Sequence, residues 1–282
     1  MKTLKKFTFD IDHNILVHLK PWRSKRLLLK LLTLIFACLI TVLIAVDGLA
    51  LGKENRSRFS LPQISYQSGN FNPRPKATES LLVELAKRTS VEVKRDFLPL
   101  ELTDSRLFYY PMIYLSGNSE FSPFNGDELG LLRNYLNLGG FLFIDDCSGV
   151  TNSDFDNSVR TTISQLFPNI PLQKIPRDHS IFRSFYLINQ VTGRVSINPY
   201  LEGIDIKGRT VLVYSTNDLG GAWSKNKLGH WTYDIVAGGT RQRTISTRLG
   251  INIIIYALTL DYKKDMVHLP IILERLQRFH RR

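Results

Sequence analysis

Asp145-Asp146-Cys147-Ser148-Gly149 puts two carboxylates, a thiol and a hydroxyl side by side. A thiol at a strand-to-helix turn is a nucleophile when a histidine and helix amides favour its thiolate. The histidine available for that role is His179, in Pro176-Arg177-Asp178-His179-Ser180-Ile181-Phe182. Against catalysis stand the two carboxylates themselves, because neighbouring negative charge raises a thiol pKa. Asp145 and Asp146 have their own options: sharing a proton, holding a divalent cation, or accepting hydrogen bonds from loop amides. Asn118, Asn217 and Asp218 supply further oxygens if the sheet order brings them close. These five polar residues form the candidate ligand-binding set, and Cys147 with His179 the candidate catalytic pair.

The elements that must position these groups are legible around them. Leu138-Gly139-Gly140 is a helix stop, since glycine takes the positive φ that ends a helix at no steric cost. Phe141 to Ile144 is a short unbroken apolar run, the mark of a strand covered on both faces. Met112-Ile113-Tyr114-Leu115 and Thr210-Val211-Leu212-Val213-Tyr214 read the same way. Helical spacing follows or precedes them at Leu81 to Ala86, Leu129 to Leu136, Asp154 to Phe167 and Ile245 to Tyr262. Val91-Glu92-Val93 alternates as a strand does. Alternation of strands and helices predicts an α/β fold with a mainly parallel open sheet flanked by helices. Three strands end in small polar clusters, at Ser116-Gly117-Asn118, Asp145-Asp146-Cys147 and Ser215-Thr216-Asn217-Asp218. In one parallel sheet these meet at the carboxyl edge, where open α/β sheets bind ligands.

Several chemistries lack their sequence marks. No glycine loop has dinucleotide or P-loop spacing, no Cys/His set has zinc spacing, and Gly-x-Ser-x-Gly does not occur. No cofactor or metal is expected. Trp223, Trp231 and Tyr233 offer an aromatic surface, or else pin residues 219–244, a long loop, to the core.

The net charge of +12 over 282 residues suggests a nucleic-acid binder only until it is located. Residues 1–30 carry +6 and residues 263–282 carry +4, which leaves +2 for everything between. Nucleic acid is therefore not an expected partner. Leu31 to Val46 is apolar apart from Thr33 and Thr41, and Leu27 to Leu29 extend it towards the ~20 residues that span a bilayer. Lys20, Arg23, Lys25 and Arg26 precede it and place the N-terminus in the cytoplasm. A cleaved signal peptide competes, since Gly48-Leu49-Ala50 resembles a cleavage site. The long basic region and Asp47 favour the uncleaved anchor. The expected organisation is a cytoplasmic basic arm (1–26), a transmembrane helix (27–46), a linker (47–62), an α/β domain (63–262) and a basic tail (263–282). Cys38 falls in the anchor, so Cys147 has no disulfide partner in the domain.

Several segments in order resemble the domain-of-unknown-function family 4159: Phe108-Tyr109-Tyr110-Pro111-Met112-Ile113-Tyr114-Leu115-Ser116-Gly117, Gly139-Gly140-Phe141-Leu142-Phe143-Ile144-Asp145-Asp146-Cys147, Asp178-His179-Ser180-Ile181-Phe182 and Tyr214-Ser215-Thr216-Asn217-Asp218-Leu219-Gly220. The resemblance covers roughly residues 60–260. It implies a flavodoxin-like fold akin to class I glutamine amidotransferases, a bacterial and often membrane-anchored or exported protein, and association with MoxR-type ATPases and von Willebrand A-type domain proteins; with the anchor and its basic flank, the expected location is the bacterial inner membrane with the main domain in the periplasm. The resemblance implies no reaction. The amidotransferase likeness puts Cys147 near that fold's nucleophile, but this chain has neither Gly-x-Cys-x-Gly nor His-x-Glu. The expected function is a membrane-anchored, exported, non-catalytic module that binds a partner protein or envelope ligand at the carboxyl edge of its sheet. The alternative is a hydrolase or transferase dependent on Cys147 or the carboxylates.

Overall fold

The computed structural model describes residues 34–39 and 58–279, the last twenty of these as backbone only. The chain divides into two units, residues 1–57 and 58–282. In the first, residues 34–39 are helical; the remainder of the expected 27–46 span lies outside the described residues. Among the described residues no helix is long and apolar enough to cross a membrane.

The second unit is built on a seven-stranded sheet. Its strands are β1 (Gln63–Ile64), β2 (Pro99–Leu100), β3 (Met112–Gly117), β4 (Phe141–Asp146), β5 (Gln173–Lys174), β6 (Glu202–Ile206) and β7 (Arg209–Ser215). Their order is β2-β1-β3-β4-β7-β6-β5. The first five run parallel, while β6 and β5 are antiparallel additions at one edge. The helices are α1 (Ala77–Arg88), α2 (Gly126–Asn137), α3 (Asp154–Leu166), α4 (Leu219–Trp223) and α5 (Gly239–Phe279). This is an α/β fold with a mixed, mostly parallel sheet, as the alternating pattern predicts.

Both faces of the sheet are covered. Met112 and Tyr114 of β3 and Phe141 and Phe143 of β4 pack with Leu81, Leu85, Trp223 and Leu249 of the helices on one side. Ile113, Leu115, Leu142 and Ile144 alternate to the other side, against Leu132, Tyr135, Phe155 and Val159 of α2 and α3. Unbroken apolar strands are what two covered faces require. Asn125 caps α2 with a capping box closed by Glu128, and Ser153 caps α3. α2 stops where Gly139 takes φ 124°. Gly140 is required for a different reason: a Cβ there would lie 2.3 Å from the Tyr135 ring.

Three local expectations differ from what is seen. Val93 makes only an isolated bridge to Phe59, and the edge strand beside β1 is Pro99–Leu100 instead. β4 runs two residues beyond its apolar run, through both aspartates. The segment 219–244 contains α4 and the start of α5, so its irregular part shrinks to residues 224–238.

Candidate functional site

A strand's side chains alternate in direction, so adjacent aspartates at the end of β4 part company. Asp145 follows Phe141 and Phe143 to the α4 side. There it accepts hydrogen bonds from the Leu219 N–H at 2.9 Å, the Gly220 N–H at 2.7 Å and the Tyr114 hydroxyl at 3.0 Å. Asp146 follows Leu142 and Ile144 to the α3 side. It accepts from the Ser148 N–H at 2.8 Å and the Ser153 hydroxyl at 2.6 Å, and Ser153 in turn accepts from the Asp156 N–H that opens α3. The pair therefore neither shares a proton nor faces a common ion. Each carboxylate ties the end of β4 to the start of a different helix.

Asn217 and Asp218 complete the edge. Asn217 accepts from the amides of Ile197 at 2.7 Å and Asn198 at 2.9 Å, and donates to the Asn198 carbonyl at 2.7 Å. It clamps the 195–198 loop onto the end of β7. Asp218 sits in the left-handed region at φ 54°, ψ 60°, a conformation that aspartate tolerates better than most residues. Its side chain, fully buried, accepts from Arg74 Nε at 2.9 Å, Arg74 Nη2 at 2.7 Å, Arg194 Nε and the Gly221 N–H. Arg74 also donates to the Cys147 carbonyl at 2.8 Å and lies 4.3 Å over the ring of Tyr233. An arginine from the β1–α1 loop and one from the loop before β6 thus neutralise one buried carboxylate between them.

Asp145, Asp146, Asn217 and Asp218 are each 0% exposed, and Cys147 is 1% exposed. Asn118 shares their edge but is exposed beyond β3. The structure thus brings together four of the five candidate ligand residues, and turns all four inward.

Cys147 Sγ lies 3.5 Å from Asp145 Oδ2 and 3.6 Å from the Asp145 carbonyl. Burial, followed by the charges of Asp145 and Asp218, drives its pKa well above the usual thiol range, and Arg74 opposes this only in part. His179 is not beside it. His179 Nε2 lies 3.0 Å from Thr210 Oγ1, at the start of β7, while its Nδ1 accepts from the Ile181 N–H. With Thr210 donating to Asp205, these bonds assign the neutral tautomer with the proton on Nε2. Burial lowers the His179 pKa. Leu212 pairs with Leu142, so Thr210 stands level with the beginning of β4 and Cys147 stands past its end. A strand's length, roughly 20 Å, separates thiol and imidazole. No proton passes directly between them. Peptide-level alkylation of the folded chain at pH 8 should therefore leave Cys147 at least about 100-fold slower to react than in urea, in keeping with an inert buried thiol. Native reactivity equal to that in urea would contradict this burial.

Asp145, Cys147 and Asp218 place one potential ligand atom each within 4.8 Å of one another. Their chemistry does not fit a metal centre. Asp218 already carries two guanidiniums, Asp145 three donors, and the thiol is held protonated. A cation there would have to displace Arg74 and Arg194.

Arg74, Arg194, Tyr114 and Ser153 are the site residues that motif reading passes over. Their one sequence signal is indirect: carboxylates at the end of a buried strand require cations and donors from elsewhere in the chain. Of the aromatic trio, Trp223 is buried and donates to the Ser246 carbonyl, Tyr233 supports Arg74, and Trp231 remains partly exposed. His230 accompanies Trp231 in the exposed part of that loop.

A family model described as "Domain of unknown function (DUF4159)" matches residues 60–258. No curated protein matches the chain.

Proposed function

The chain belongs to the DUF4159 family of domains of unknown function, and from that premise we propose that it is a membrane-anchored, exported, non-catalytic α/β module whose carboxyl-edge loops bind a partner protein. One observation carries the reading. The buried Asp145, Asp146, Asn217 and Asp218 all spend their hydrogen bonds on the protein itself, which leaves none of these four groups free to do chemistry. The order of the five parallel strands, β2-β1-β3-β4-β7, supports a flavodoxin-like sheet, whose ligand crevice lies at this edge. Here the Arg74–Asp218–Arg194 triad occupies the edge beyond β4 and β7. What remains for a partner is the rim around exposed Asn118 and Val150, with Val150 56% exposed.

The anchor reading rests on the apolar run and its basic flank. It sets which partner meets which part. An ATPase of the MoxR type needs cytoplasmic ATP, so it meets the basic arm, residues 1–26. A von Willebrand A-type domain protein on the far side meets the rim.

The test is site-specific photo-crosslinking of the full chain in its own membranes. A photoreactive residue in place of Val150 should form an adduct with a von Willebrand A-type domain protein. The same residue in place of Lys207, in the β6–β7 turn at the opposite edge, should not. Protease added to spheroplasts should digest the domain and spare the arm. Adducts at both positions, or at neither, overturn the rim assignment, and a domain protected in spheroplasts overturns the topology.

A further inference from the structure

Away from the carboxyl edge, the first turns of α5 carry a charge imbalance that the domain leaves uncorrected. Residues 239–260 contain Arg241, Arg243 and Arg248 and no acidic residue. Arg243 is used internally, donating to the carbonyls of Ala222 and Tyr233. Arg241 and Arg248 are exposed, and among the described residues neither pairs with a carboxylate. Both line a groove of about 430 Å³ between α5 and residues 187–190, a size typical of small-molecule sites. Thr244 and Ile245 line it on the α5 side, and Asn189 and Gln190 add amides on the wall formed by residues 187–190.

That wall is built in place. Buried Asn252 of α5 accepts from the Tyr186 N–H at 2.7 Å and donates to the carbonyls of Tyr186 and Ile181. Buried Gln242, also of α5, donates to the carbonyls of Gly193 and Arg194. Two amide side chains from one helix thus hold both ends of segment 186–194, with Arg248 between them along the helix and Arg241 next to Gln242. Arg248 is further oriented by the Tyr186 ring, 5.1 Å from its guanidinium carbon. A third guanidinium, Arg177, lines the adjoining groove behind Ile188-Asn189-Gln190.

We infer that this groove is a binding site for a small molecule carrying two phosphate groups. Guanidinium forks match phosphate oxygens, and neither fork is spent on the protein. Arg241 and Arg248 are seven residues apart, so their Cα atoms stand about 10 Å apart along the axis. That spacing favours two separated phosphates over one. Leu187, Ile188 and Ile245 give the groove an apolar lining alongside the two guanidiniums. A soluble bisphosphate and the headgroup of a two-phosphate lipid share this chemistry. The site is independent of the rim around Val150.

Calorimetry of the full chain in non-ionic detergent tests it, with a hexose bisphosphate, inorganic phosphate and cardiolipin-containing micelles of the same detergent as probes. The bisphosphate should bind saturably and at least about tenfold more tightly than inorganic phosphate, and Arg241→Gln with Arg248→Gln should abolish the difference. The charged tails are unchanged in that variant, so they cannot account for the loss. Saturation by the cardiolipin micelles alone, lost in the same variant, also supports the site and assigns it to lipid. A second readout needs no variant: the bisphosphate should protect Arg241 and Arg248 of the native chain from phenylglyoxal and leave exposed Arg95 reactive. No saturable binding, binding unchanged in the variant, or protection elsewhere overturns the inference.

Discussion

Replacing Asp218 with alanine should destabilise the domain by about 3–5 kcal/mol, the usual effect of removing one partner from a buried ion pair. The magnitude follows from what remains behind. Arg74 and Arg194 converge on this carboxylate from two different loops, and their side chains are 13% and 19% exposed. Without it they face each other with no anion between them. The substitution also removes the acceptor for the Gly221 N–H and puts alanine at φ 54°, where a side chain unable to hydrogen-bond locally is strained. A domain of this size has about 5–15 kcal/mol to lose, so the variant should unfold at a much lower urea midpoint. Asp218→Asn should fall between the two, because it keeps one acceptor and loses the charge. The matched triple change, with Arg74→Met and Arg194→Met added, should recover part of the loss, since no charge is then left uncompensated. A midpoint unmoved by Asp218→Ala would mean that the triad is not formed in solution.

The contrast between triad and strands explains what could be read ahead of the structure. β3, β4 and β7 are written in runs of four or five apolar residues, and the end of α2 in a glycine pair, because both signals are local. β2 and β5 are two residues long, too short to show a period, and β6, with Glu202, Gly203 and Asp205 among its five residues, has no apolar run to mark it. The carboxylate cluster was visible, and so was its place at the end of a strand. Its meaning was not, for a reason of one or two residues. Ending β4 at Ile144 leaves Asp145 and Asp146 together in a loop, whereas continuing it through Asp146 sends them to opposite faces. The donors that let the strand continue lie far off, with Arg74 separated from Asp218 by 144 positions. Nothing in a glycine- and proline-bearing loop marks an arginine as buried. His179 misleads in the converse way. Its sequence neighbours suit a base, but only the sheet register shows that it belongs to the other end of the strands.

The second large effect is a pH dependence centred on Asp145. Its carboxyl is pushed up to about 7, first by burial and then by the negative charge of Asp218; the hydrogen bonds from Gly220, Leu219 and Tyr114 oppose the rise without cancelling it. An unfolded aspartate titrates near 3.8. Between these values the folded chain binds a proton that the unfolded chain does not. Linkage then gives a contribution that is fully present below about pH 4 and is lost as pH rises through about 7. A difference of this size corresponds to something on the order of 4 kcal/mol. Other groups run the opposite way: Glu84, held low by Arg88 and Lys225 against the upward push of burial, favours the folded state at higher pH. The Asp145 contribution is therefore best read as a difference between two proteins. Asp145→Asn has the same shape and no titration, and the groups remote from Asp145, Glu84 among them, cancel in the comparison. The unfolding free energy of the wild type minus that of Asp145→Asn should increase from pH 8 to pH 4, changing most steeply between the two titrations, at about pH 5 to 6, and levelling off above neutrality. A flat difference would place the proton elsewhere. A difference that falls with acidity would mean that the Leu219 and Gly220 amides outweigh burial and keep the carboxylate charged.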